Sequence, residues 1–184
     1  MDTLSHGLWS SLAAKATNRK FDTKINYWAA FGWGAFPDLF AFTVPFVYLT
    51  WNSIFGGFDF SDFKNYNLAD LEPLPPSSPL RNGFWLMDLA ASLYNYSHSL
   101  IMFLAVIVII YLFSKKIPLA MIGWPLHILM DVPTHTYRFF PTPVLWPISD
   151  IKFNGIAWGT PWFLVLNYSC LLLTFLYLRH KKKS

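Results

Sequence analysis

Cysteine is nearly absent from this 184-residue chain, and the single one, Cys170, lies inside an apolar stretch. That excludes a disulfide framework and a thiolate metal site. Charge is scarce as well, at 13% of residues. The net +4 sits in short basic clusters near the ends of apolar stretches, with no basic face for nucleic acid. The expected counterpart of those clusters is an anionic membrane surface. Met1-Asp2-Thr3 lacks the positive leading region of a cleavable signal peptide, so Met1 and Asp2 are expected to stay in the working protein. No internal repeat is visible. What fills the chain is 54% hydrophobic and 20% aromatic residues. That is too apolar for an ordinary soluble domain, and the length suits one compact membrane domain over residues 1–184.

Five apolar segments stand out. Leu4 to Ala16 is too short to span and reads as a half-buried N-terminal helix. Tyr27 to Trp51 follows, interrupted at Pro37-Asp38. Leu93 to Phe113 contains the most lipid-like run, Ile101 to Phe113. Ile117 to Val132 is short of the ~20 residues needed to cross, and Trp158 to Leu178 is full length. The expected fold is an all-α integral membrane protein. It is a bundle of about five membrane helices, with four spans or near-spans besides the N-terminal helix. Residues 52–92, Pro-rich around Pro73 to Pro79, and residues 133–157 are expected as extracytoplasmic loops.

Lysine and arginine orient such a bundle. Lys15, Arg19, Lys20, Lys24, Lys115, Lys116, Arg179, Lys181, Lys182 and Lys183 flank one set of segment ends. Lys64, Arg81, Arg138 and Lys152 are spread thinly over the longer opposite loops. This predicts a cytoplasmic C-terminus and an outward N-terminus in a bacterial inner or plasma membrane. At ~1.5 Å per helical residue, His6, Asp38, His98, His127, Asp131 and His135 then fall at one level in the extracytoplasmic half. Only His180 lies elsewhere, in the basic tail.

Six imidazoles and carboxylates in apolar surroundings are costly, at least ~2.5 kcal/mol for each charged group within hydrocarbon. His127-Ile-Leu-Met-Asp131 is an i, i+4 pair that projects both side chains from one helical face. Asp2 and His6 repeat the spacing in reverse order. Imidazole and carboxylate are the zinc-ligand alphabet. Pro37 predicts a kink and freed carbonyls, hence a wet cavity beside Asp38 in which its carboxylate binds metal or holds a water.

Each residue also has a plain structural alternative. His98, in Tyr96-Ser97-His98-Ser99, could be an interfacial histidine bonded to serine, and His135 an ordinary loop residue. Asp2 could be a helix N-cap, and Asp38 a structural partner of a histidine. Arg138 could grip a phosphate or be a surface arginine. Trp146, Trp158 and Trp162 read as an aromatic belt. Phe55, Phe58, Phe60 and Phe63, interleaved with Asp59 and Asp62, suggest a loop on the outer leaflet.

Several short motifs in order resemble the YdjM-like membrane-bound metal-dependent hydrolases. They are Asp2-Thr-Leu-Ser-His6-Gly7, Phe36-Pro37-Asp38, Tyr96-Ser-His98-Ser99 and Gly123-Trp-Pro-Leu-His127-Ile-Leu-Met-Asp131-Val-Pro-Thr-His135, with Pro147 and Gly155-Ile-Ala-Trp158 after them. The ligand order is more remotely similar to soluble zinc-dependent phospholipases C. That resemblance implies metal ligation by His6, Asp38, His98, His127 and Asp131. It also implies a water-orienting role for Asp38 and a place for His135 at a second metal. The later HxxxE pair of those enzymes is missing, which points to one or two metals instead of three. Zinc is the expected ion, with manganese the alternative.

The expected function is thus a membrane-embedded metal-dependent hydrolase, a phosphoesterase acting on a lipid or lipid-linked phosphate at the outer leaflet. The competing expectation is a small transporter passing a metal ion or protons through the same cluster. The nearly pure apolar runs Ile101 to Phe113 and Cys170 to Leu178 argue against a polar route to the cytoplasmic side. A membrane scaffold leaves the buried acids unexplained.

Overall fold

The computed structural model describes residues 1–55 and 85–180. These are helical, with one isolated bridge between Thr136 and Phe139 and no strand among the described residues. The helices are α1 (Thr3–Phe21), α2 (Tyr27–Phe55), α3 (Trp85–Ser97), α4 (Leu100–Ser114), α5 (Gly123–Thr134) and α6 (Pro161–His180). A 3-10 turn, Leu119–Ile122, leads into α5. Phe58, Phe60, Phe63, Asp59, Asp62 and the Pro73–Pro79 run lie outside the described residues.

Helix α1 starts where the Asp2 side chain accepts from Ser5 N, and its last turn carries Arg19 and Lys20, which suit a helix C-terminus. It outruns the apolar window because Asn18 keeps the following turn in place, donating to Ile25 O and accepting from Ile25 N, both at 2.8 Å. Helix α2 runs unbroken through Pro37 and Pro45, so the expected interruption at Pro37-Asp38 is absent. The expected single helix Leu93 to Phe113 is instead two, α3 and α4, bent by 60° at His98-Ser99. The Ser99 side chain caps α4 by accepting from Ile101 N and Met102 N.

Small residues let α1, α2 and α5 approach closely, in the manner of helices packed within membranes. A Cβ on Gly34 would fall 2.2 Å from Ser10 Oγ and 2.7 Å from the His6 carbonyl, and one on Gly123 would fall 2.7 Å from the Ala30 carbonyl. Helix α3 packs on α2, and α6 packs on α1. An aromatic cluster, Trp33, Phe36, Phe103 and Trp124, fills the space between α2, α4 and α5.

Two helices, α2 and α6, are long and apolar enough to cross a membrane, and the bent α3–α4 pair makes up to three. The expectation of about five membrane helices is therefore only partly matched. At ~1.5 Å per residue, the 15 residues of α4 and 12 of α5 reach only about 22 and 18 Å, short of a ~30 Å hydrocarbon core.

Candidate metal centre

The structure brings His6, Asp38, His98, His127, Asp131 and His135 together, all buried. His6 sits in the first turns of α1, Asp38 in α2, His98 at the α3–α4 bend, and His127 and Asp131 on one face of α5. His135 is the residue that ends α5. The bend is what aims His98 inward. Trp124 Nε1 donates to Ser97 O at 2.6 Å, Leu100 N donates to Val144 O at 2.9 Å, and Ser99 Oγ donates to Trp146 O at 2.5 Å.

One ligand atom each from Asp38, His98, His127 and Asp131 lies within 4.8 Å of the others, a group able to hold a metal ion. The two Nε2 atoms of His98 and His127 are 3.0 Å apart. Asp38 Oδ1 is 3.5 Å from His98 Nε2 and 3.6 Å from His127 Nε2. Asp131 Oδ2 is 3.4 and 3.1 Å from the same two nitrogens. Tetrahedral ligands at the ~2.0–2.2 Å of zinc–nitrogen and zinc–oxygen bonds stand about 3.3 Å from one another. Five of the six edges of that tetrahedron are thus in place.

Hydrogen bonds to the far side of each ring decide which nitrogen faces this space. His127 Nδ1 lies 2.7 Å from Gly34 O and His135 Nδ1 lies 2.9 Å from Phe140 O. A carbonyl only accepts, so both Nδ1 atoms carry the proton and a neutral ring leaves Nε2 as a lone pair. His98 Nδ1 pairs with Ser97 Oγ at 2.9 Å. The histidine–serine bond offered as a plain alternative is therefore present, yet Nε2 still points into the cluster.

Asp131 Oδ2 and both ring nitrogens of His6 are buried without a hydrogen-bond partner among the described residues. His6 Nε2 is 2.9 Å from Asp131 Oδ1, but not along a hydrogen-bond direction. Lone pairs facing lone pairs at these distances repel, and such orphaned atoms are expensive when dry. A cation at the centre removes the conflict, so the residues present fit a divalent ion.

The two oxygens of Asp131 face different sides. While Oδ2 meets His98 and His127, Oδ1 meets His6 Nε2, His135 Nε2 at 3.3 Å and the amino nitrogen of Met1 at 2.5 Å. Asp38 Oδ2 accepts from Thr3 Oγ1 at 2.8 Å, and the Asp38 side chain keeps 8% exposure while His6, His98, His127 and Asp131 have none.

Asp2 and Arg138, whose roles the sequence left open, stay outside the cluster. Asp2 takes the N-cap position and its carboxylate accepts from Tyr168 at 2.8 Å. Burial raises the Asp2 pKa, but hydrogen bonds from Ser5 and Tyr168 outweigh it and hold the carboxyl below its ordinary value. Arg138 is exposed beyond α5.

Other participants were missed. Tyr94 is wholly buried, its ring stacked 3.6 Å from that of His98 and its hydroxyl 3.3 Å from His135 Nδ1. Its place one turn before His98 on the same helical face was the available signal. Thr3 and the Gly34 carbonyl gave none. Gly155 is fixed by contact, because its N–H donates to His135 O at 2.7 Å and a Cβ there would fall 2.3 Å from Pro133 O. Compared with protein-family models, curated proteins and solved structures, the chain matches none.

Proposed function

We propose that this protein is a membrane-embedded, metal-dependent phosphoesterase that hydrolyses a lipid or lipid-linked phosphate from the outer leaflet. The observation that supports it most is the near-tetrahedral set of Asp38, His98, His127 and Asp131, with the orphaned Asp131 Oδ2 facing its centre. These four residues would hold one ion. His6 and His135, on the Oδ1 side of Asp131 that the Met1 amino group also contacts, would hold a second. Zinc suits four imidazoles with carboxylates, and manganese is the alternative. A divalent ion here supplies Lewis-acid polarisation of a phosphoryl oxygen and brings the pKa of water down to ~7.

The chain's own residues do the rest. Asp38, the member of the set with residual exposure, marks the side from which a substrate arrives. Leu39 and Phe40 beside it are exposed apolar residues, which favours a substrate entering from lipid. During hydrolysis the water oxygen joins phosphorus as the bond to the leaving alcohol breaks. Asp38 takes the proton of that water, with Thr3 Oγ1 holding the carboxylate in position, and returns it to the leaving oxygen.

Asp38→Asn should lower turnover by at least about 100-fold, because the amide keeps the shape but loses charge and basicity. The assay is phosphate-ester release from phospholipids and polyprenyl phosphates, with and without chelator. Activity that survives both the chelator and the substitution overturns the metal mechanism. Vesicles that conduct protons or metal ions with no ester cleaved would instead make the protein a transporter.

A further inference from the structure

Between Lys116 and Arg179 the sequence contains just one arginine and one lysine, Arg138 and Lys152. The fold joins the segments that carry them. Tyr137 N donates to Asn154 Oδ1 at 3.0 Å and the Tyr137 hydroxyl donates to Lys152 O at 3.1 Å. Arg138 is exposed at the tip of the turn closed by the Thr136–Phe139 bridge, and Lys152 is half-exposed. Neither pairs with a carboxylate among the described residues, Asp150 included.

The surroundings of these cations are not those of a water-facing loop. Tyr137, Ile148, Ile151, Phe153 and Ile156 are each 49 to 76% exposed, all outside the helices. Large apolar side chains mixed with unpaired cations are the composition of a surface lying in a membrane interface, where the chains bury and the charges meet headgroups. The surface is continuous with the metal centre, since Gly155 N donates to His135 O.

We propose that Arg138 and Lys152 grip the phosphate of an anionic phospholipid whose chains lie against Ile148, Ile151 and Phe153. This rests on the reading of the adjacent centre as one that takes a lipid phosphate, and it narrows that substrate to an anionic lipid. The source is a membrane lipid, because a free phosphate gains nothing from the apolar neighbours.

The test titrates the full chain, in neutral detergent micelles, with tail-labelled phosphatidylglycerol or phosphatidylcholine, read by energy transfer from tryptophan. Two cations near the headgroup predict at least about a tenfold preference for phosphatidylglycerol. The preference should shrink in about 0.5 M salt, where screening is strong, and vanish in Arg138→Gln/Lys152→Gln. Ile151→Ser/Phe153→Ser should weaken both lipids alike. Metal content equal to wild type confirms that each variant is folded at the centre.

Equal binding of the two lipids by wild type, or a preference unchanged in the charge variant, overturns the proposal. So does abolition of the preference by inorganic phosphate, which would make this an anion site. A chain that keeps the lipid preference but cleaves no ester overturns the phosphoesterase reading alone.

Discussion

Asp131→Asn should leave the protein unable to hold metal, lowering affinity by more than about 100-fold, since losing an outer partner of a ligand already costs ~10–100-fold. The carboxylate has four close neighbours through Nε2 atoms, two on each oxygen. The amide keeps its volume but replaces one acceptor by a donor and removes the only full charge shared by both halves. Elemental analysis of purified protein checks the metal. A thermal melt gives a second reading, because an ion bound to the folded state alone raises its stability with concentration. Wild type should gain melting temperature as zinc is added and the variant should not. A variant that retains wild-type metal would remove Asp131 from the coordination set.

Gly34→Ala should damage stability and metal binding together. The new methyl meets Ser10 Oγ at 2.2 Å, which a rotation can relieve, and the His6 carbonyl at 2.7 Å, which it cannot. Helix α1 must therefore shift away from α2 and take His6 with it. The Gly34 carbonyl that orients His127 moves too. Overpacking of this kind costs about 1–3 kcal/mol, or several degrees of melting temperature at ~2–4 °C per kcal/mol for a chain of this size. Gly32→Ala is the internal control. A Cβ there meets nothing within 4 Å, and alanine gains up to ~1 kcal/mol of helix propensity. Calorimetry and zinc titration of the pair should separate them, and equal behaviour would contradict the packing account.

The positions of the polar groups were more legible than the elements that carry them. Buried His and Asp are expensive, so their occurrence in apolar stretches is informative however the helices are divided. Hydropathy, in contrast, carries no direction. Leu93 to Phe113 reads as one segment, although Ser99 before an apolar run is an N-cap signature and the bend at that point aims His98. Pro37 looked like a break, yet α2 continues through it. The neighbouring Gly34 carbonyl is instead used by a ring nitrogen from another helix. That contact has a sequence separation of 93 residues, which no local pattern reveals. Asp2 and His6 had the same spacing as His127 and Asp131 but not the same outcome, because Asp2 precedes its helix and is consumed by capping.

The central claim is that these residues hold a divalent ion. The direct measurement is elemental analysis and X-ray absorption of the purified full chain, wild type against His127→Ala. Wild type should contain one or two zinc ions per chain, with a nitrogen/oxygen shell at ~2.0–2.2 Å and imidazole scattering. His127→Ala should lose at least one of them. Wild-type protein free of metal after purification in zinc, or a His127→Ala variant with an unchanged count and spectrum, would contradict the account.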